Sequence, residues 1–290
     1  MDWISGIGRA IDYIEAHITE ELDYSEIARQ AACSPFYFQR IFGVLCGLSL
    51  GEYIRARRLT LAGSELQRTD IRVIDAALKY GYESPESFTR AFVRFHGITP
   101  SEARKNGAVL KSFSRLSVQI VLKGGSIMDY KIIEKDTFCV IERAEQHSII
   151  DSENKNTIPD FWTRARGDGT LRRLQEIAGV GEPIFGICHS GVKDTDEQHF
   201  TYGIGVPCAP DAPVPAGFRR SIIPAGTWAV FGCTGAMPHA IQDMLHRIYS
   251  EFLPAADWRI ASETELEVYY PGDMGDSAYY SEIWIPVIRK

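Results

Sequence analysis

Two groups of side chains in this sequence combine the residue types and spacing that chemistry needs. The first group lies in two matching stretches. Ser34-Pro35-Phe36-Tyr37-Phe38-Gln39-Arg40-Ile41-Phe42 aligns with Ser84-Pro85-Glu86-Ser87-Phe88-Thr89-Arg90-Ala91-Phe92 at an offset of 50 residues. If each stretch is a helix with its phenylalanines buried, Phe36, Gln39 and Arg40 share the other side of the first. Glu86, Ser87, Arg90 and Arg94 share the other side of the second. Gln and Arg pair bidentately with adenine and guanine edges in the DNA major groove. An exposed Phe36 would suit a thymine methyl, and Glu86 would accept from a cytosine amino group or repel phosphate. The plainer reading is a solvated helix face, and for one helix it would be preferred. The same pattern at the same place in two helices favours DNA contact.

The second group surrounds Glu282, set among Ile283, Trp284, Ile285 and Val287. A carboxylate on the inner face of such a strand is desolvated, which is costly unless a cation pairs with it. Phe161, Trp162, Trp228, Tyr270 and Tyr280 could supply aromatic faces to that cation. Glu267 is a weaker second carboxylate. Core packing is the plainer reading for most of these aromatics. The alternation of the strand leaves Glu282 equally open to an inward or an outward position.

The elements that must position the first group are legible. Ser34 and Ser84 can cap, with Pro35 and Pro85 at the first helical position. Phe38, Ile41, Phe42 and Leu45, and Phe88, Ala91, Phe92 and Phe95, repeat at helical spacing. Gly47 and Gly97 should end the two helices. Ser49-x-x-Glu52 and Thr99-x-x-Glu102 read as capping boxes that restart the chain. Shorter helices at Tyr24–Ala31 and Arg72–Lys79 precede them, and Gly51–Arg68 reads as one long connecting helix. Short helix, tight turn and longer helix, twice over, is a double helix-turn-helix.

From Met128 the pattern changes to alternating strands. Strands are expected at 130–141, 184–188, 200–206, 219–224, 227–232, 266–270 and 281–288, with helices at 158–178 and 238–252. This is a strand–helix–strand unit occurring roughly twice. The fold class is therefore multidomain: an all-α double helix-turn-helix domain over 1–107, a linker over 108–127, and an α+β domain with antiparallel sheet over 128–290. Gly124-Gly125 and nearby serines suggest a flexible linker, with room for a short strand at Leu116–Leu122.

Composition agrees. A chain of 290 residues, 45% hydrophobic and 24% charged, suits two soluble domains. Residues 1–123 hold 16 Lys and Arg against 14 Asp and Glu, a net +2, and the remainder is net −9. The two halves therefore have different partners. No membrane span or signal peptide is read, and six scattered cysteines suit reduced thiols in the cytoplasm. The histidines and cysteines lack metal-ligand spacing, Gly203-Ile204-Gly205 lacks a nucleotide-loop context, and no nucleophile elbow occurs. No metal, cofactor or catalytic residue is expected.

The Ser-Pro-x-x-Phe-x-Arg-x-Phe stretches and Ala77-x-x-x-Gly81-Tyr82-x-Ser84-x-x-x-Phe88-x-Arg90-x-Phe92 resemble the DNA-binding domain of the AraC/XylS family, over residues 3–107. The resemblance implies seven helices in two lobes. Its two recognition helices would enter successive major-groove turns about 34 Å apart, with Phe36, Gln39, Arg40, Glu86, Ser87 and Arg90 facing bases. Ile223-Pro224-Ala225-Gly226-Thr227-Trp228-Ala229-Val230-Phe231, Leu266-Glu267-Val268-Tyr269-Tyr270 and Glu282-Ile283-Trp284-Ile285-Pro286-Val287, with Ile158-Pro159-x-Phe161-Trp162, resemble GyrI-like effector-binding domains. That resemblance implies a tandem duplication with a ligand cleft between the repeats, and a final-strand glutamate, here Glu282, that meets the charge of a cationic aromatic effector. The expected function is a DNA-binding regulator, by analogy an activator with RNA polymerase as a partner, that senses a small molecule. The alternatives are a small-molecule hydrolase with Glu282 as general base, and a protein-interaction module without ligand.

Overall fold

In the computed structural model, which describes residues 3–118, 127–150, 153–179, 181–189, 199–262 and 264–290, the first hundred residues are helical. The helices are α1 (Trp3–Ala16), α2 (Tyr24–Gln30), α3 (Pro35–Cys46), α4 (Leu50–Arg68), α5 (Val73–Lys79), α6 (Pro85–His96) and the short α7 (Pro100–Ala103). Their ends are chemical. Ser84 Oγ accepts from the Ser87 amide, with Pro85 beside it at the helix start. The Ser49/Glu52 and Thr99/Glu102 capping boxes are both closed. Gly47 and Gly97 take φ of 72° and 84°, the left-handed conformation that ends a helix and that costs glycine least. In the second lobe Leu59, Ala62 and Leu66 of α4 pack with Ala76, Ala77, Tyr80, Phe88 and Phe92. Burying each such phenylalanine contributes about 1.5–3 kcal/mol.

The chain divides into two units, one of residues 1–39 and 48–122, the other of residues 40–47 and 123–290. Part of the stretch read as a flexible linker is held to α4 and α6 of the first. Arg57 donates to the Phe113 carbonyl, while the Lys111, Phe113 and Leu116 amides donate to His96 Nδ1, Thr60 Oγ1 and Tyr53 Oη. No strand forms at 116–118. The rest of the expected strand, and Gly124-Gly125, lie outside the described residues.

The second unit is built on one nine-stranded antiparallel sheet: β1 (Tyr130–Lys135), β2 (Phe138–Ser148), β3 (Ile184–His189), β4 (His199–Cys208), β5 (Arg219–Ile223), β6 (Gly226–Thr234), β7 (Trp258–Ile260), β8 (Glu265–Tyr269) and β9 (Tyr280–Arg289). The order is β1-β6-β9-β8-β3-β4-β2-β5, with β7 on β9. Helices α8 (Asn154–Gly167), α9 (Thr170–Ala178) and α10 (His239–Arg247) pack on it, and α10 runs on as a wider turn through Phe252. Two consecutive strand pairs cross between the halves, neither pairing within itself: β1 pairs with β6 and β5 with β2. Their sequences match at an offset of 90, Ile132-Ile133-(x)3-Thr137-Phe138-x-Val140 against Ile222-Ile223-(x)3-Thr227-Trp228-x-Val230. The tandem duplication is therefore visible both in the chain and in the pairing.

The structure corrects three elements. The single strand expected at 130–141 is two strands, β1 and β2, interrupted at Asp136-Thr137, where the chain leaves the β6 ladder for those of β4 and β5. The expected helix 158–178 begins earlier and is broken at Gly169, whose φ of 85° interrupts helical geometry. Strand β7 was not expected, because three residues carry no usable period.

Candidate functional site

The helical unit places the base-reading candidates on two helices with unequal exposure. On α6, Glu86, Arg90 and Arg94 are exposed and Ser87 is half-buried at the helix start. On α3, Phe36 and Gln39 are only 9% and 7% exposed, and the Gln39 amide donates to the Pro35 carbonyl at 3.4 Å. Arg40 is half-buried. The expectation of a solvent-facing Phe36 is thus not met in this conformation, while the α6 face is open.

The sheet sorts the ligand candidates by strand parity. Successive residues of a strand point to opposite faces, and residues opposite each other across a ladder share one. Glu282 stands opposite Val268 and Gly232. It therefore shares a face with Trp284, Trp228, Tyr270 and the buried cluster of Val140, Phe185, Ile187, Ile223, Val230, Leu266 and Val268. Glu267 is one residue out of phase and points to the other face. There Tyr202 Oη and Tyr269 Oη donate to it at 2.6 and 2.9 Å, and Trp162 Nε1 donates to Tyr202 Oη at 3.1 Å. Phe161 packs on that side too, against His147. The six ligand candidates are therefore split. Glu282, Tyr270 and Trp228 lie together. Glu267, Phe161 and Trp162 form the seam between helices and sheet.

Glu282 is 2% exposed. Trp284 Nε1 (2.8 Å) and Tyr270 Oη (3.2 Å) donate to its Oε2, while Lys131 Nζ (2.9 Å) and Tyr280 Oη (3.0 Å) donate to its Oε1. Burial pushes the carboxyl up. The bonds from Lys131, Trp284 and Tyr280 outweigh that, so it lies below the usual carboxylate range. Burial and this same carboxylate push the Tyr280 hydroxyl up to about 12. The expected inward, desolvated carboxylate is present, but a lysine already pairs with it.

Beside Glu282 is an open groove of about 530 Å³, lined among others by Asp129, Lys131, Val230, Met244, Arg247 and Tyr280. Such a volume suits a drug-sized molecule. Trp228, 2% exposed on the same face, has an Nε1 without a hydrogen-bond partner. That is an unspent donor in an apolar setting.

Sequence reasoning missed Lys131 and Trp284. Trp284 could have been found, because a residue two places from Glu282 must share its face. Lys131 could not, because the β1–β6–β9 pairing brings it there across 151 positions. Among the described residues, no group of three or more His, Cys, Asp or Glu could hold a metal ion, and no helix is long and apolar enough to cross a membrane.

Residues 128–288 match the GyrI-like small molecule binding domain, and residues 27–106 match a helix-turn-helix domain. Over 95 residues the chain is 41% identical to the HTH-type transcriptional activator AarP of Providencia stuartii, covering 33% of this chain and 70% of AarP. Over 94 residues it is 42% identical to the transposon Tn10 TetD protein of Escherichia coli, covering 32% and 68%. The transcriptional regulator Rob of Salmonella typhimurium is 23% identical over 277 residues, 94% of this chain and 93% of Rob.

Proposed function

The chain belongs to the AraC/XylS family of DNA-binding transcription regulators and carries a C-terminal GyrI-like small-molecule binding domain, and on that premise we propose that its effector is a cationic aromatic compound bound at Glu282. One observation carries the reading: a buried carboxylate at the wall of an open groove, hydrogen-bonded by Tyr270, Tyr280 and Trp284. Aromatic faces around a desolvated carboxylate suit a diffuse cation. The free N–H of Trp228 suits an acceptor on the same ligand. Bases are read by Arg90 and Arg94 with Glu86 and Ser87 on α6, and by Phe36, Gln39 and Arg40 on α3 once that face is presented. The sign is activation, as in the name of AarP, with RNA polymerase as the partner and the cytoplasm as the place of action.

A hydrolase reading is less well supported. A general base works best with its pKa tuned up toward the operating pH, and Glu282 is held down. We read its carboxylate as a counter-charge and the protein as a sensor, not an enzyme.

Calorimetric titration with tetraphenylphosphonium, beside the neutral triphenylphosphine oxide, tests the ligand arm. Saturable binding of the cation, weakened by about 1–3 kcal/mol in Glu282→Gln, is the expected result. Equal binding to both proteins removes Glu282 from the site. For the DNA arm, Arg90→Ala should cost about 1–3 kcal/mol in fluorescence anisotropy on a selected operator. An unchanged affinity there would take α6 out of base contact.

A further inference from the structure

We propose that Lys131 is a built-in counter-ion of the effector site, which a cationic effector must displace, and that this exchange singles out diffuse aromatic cations; the inference rests on the reading of Glu282 above.

The carboxylate is full. Each oxygen already accepts two hydrogen bonds, so a new cation enters only by replacing a donor. Three of the four donors are fixed. Tyr280 and Trp284 sit two residues either side of Glu282 on β9, and Tyr270 directly follows β8. All three rings are tied to central strands. Lys131 differs from these rings in its strand and in its flexible stem. It reaches in from β1, which among the described residues is an edge strand paired to β6 alone. Its side chain is 58% exposed against 3% for Glu282, and its four-carbon stem is free to swing into water, where an ammonium is well solvated. It also lines the groove. Of the four donors it is the one that can leave.

The exchange explains selectivity. A compact ammonium ligand only repeats what Lys131 already does and gains nothing by replacing it. A neutral aromatic ligand cannot compensate the carboxylate, so it leaves Lys131 in place. A diffuse cation with aromatic substituents is weakly hydrated, compensates the charge, and adds contact with Tyr270, Tyr280 and Trp284. The exchange also has a direction along the chain. β1 is the first strand after the residues that follow the helical unit. Release of Lys131 removes a tie between that strand and β9.

The test uses the full-length protein and tetraphenylphosphonium as probe. Lys131→Met removes the competing cation and leaves three donors on Glu282. It should bind the probe three- to tenfold more tightly than wild type, a factor in keeping with the loss of a half-exposed ion pair. Lys131→Arg restores a competing cation and should stay within about twofold of wild type. In hydrogen exchange, the probe should speed amide exchange over residues 130–135 in wild type and leave it unchanged in Lys131→Met. Wild-type binding with an unchanged or weaker Lys131→Met affinity overturns this inference and leaves the Glu282 reading standing. No saturable binding by any of the three proteins overturns the Glu282 reading, and this inference with it.

Discussion

On one face of the sheet, Glu142 in the first half and Glu282 in the second are both buried, and by different means. In the first half Glu142 on β2 is 0% exposed. His189 Nε2 (2.7 Å) and Arg219 Nε (2.9 Å) pair with it, and Ser221 Oγ donates to it. Its carboxylate lies over Gly203, where a Cβ would come within 1.7 Å of Oε2. Its partners here are polar side chains from β3 and β5, two of them able to carry positive charge. In the second half Glu282 faces three aromatic donors, one lysine and an open groove. The pairing of the two halves is alike, with a strand at the end of the sheet order supplying the basic partner each time: Arg219 from β5, Lys131 from β1. Arg219, with a side chain 42% exposed against 58% for Lys131, is itself on an end strand. The two carboxylates therefore differ in their other partners: His189 and Ser221 beside Glu142, three aromatic donors and a groove beside Glu282, which is the setting the proposed effector would use.

The largest effect should separate the two directly. Glu142→Ala leaves His189, Ser221 and the part-exposed Arg219 without their acceptor, and should cost about 1–3 kcal/mol in denaturant unfolding, the usual penalty for buried donors left unsatisfied. Glu282→Gln keeps the shape and most of the hydrogen bonds. It should act mainly on cation affinity, so a stability loss as large as that of Glu142→Ala would break the comparison.

Acid provides the smaller and sharper test. Burial pushes the Glu142 carboxyl up, and the contacts of His189, Ser221 and Arg219 outweigh it, leaving it below 4.5; Glu282 is lowered likewise. A carboxylate whose pKa is depressed by folding adds stability above its unfolded value and loses it as pH falls through the folded one. Unfolding free energy should therefore decline below about pH 4.5 and decline less steeply in Glu142→Gln. An identical slope in the variant would mean that Glu142 is not held ionised by its neighbours.

How much of this was legible depends on the range of the forces involved. In the helical unit nearly all of it was. Caps, proline starts and glycine ends act within a few residues, and α3 and α6 begin and end where their serines and glycines direct. The exposure of α3 was not legible. Phe36, Gln39 and Arg40 stand at recognition-helix positions by spacing, yet spacing says nothing of what covers a helix face. In the sheet the alternation around Glu282 was readable, but it could not choose inside from outside. The break at Asp136-Thr137 was hidden because β1 and β2 both have strand-forming sequence, and nothing local says that they join different ladders.

By itself, then, the sequence determined the elements, the two duplications, the change from helical to strand period near Met128, and the residue types that can read bases or hold a cation. Those rest on local propensity and on periodicity. Only the tertiary structure decided which candidates meet. Ladder register placed Glu282 with Tyr270 and Trp228, and sent Glu267, with Phe161 and Trp162, to the helix side. Strand order brought Lys131 to Glu282, and Arg219 and His189 to Glu142. Register and order follow from burying whole faces of a sheet at once, a long-range balance that a single stretch of sequence does not contain.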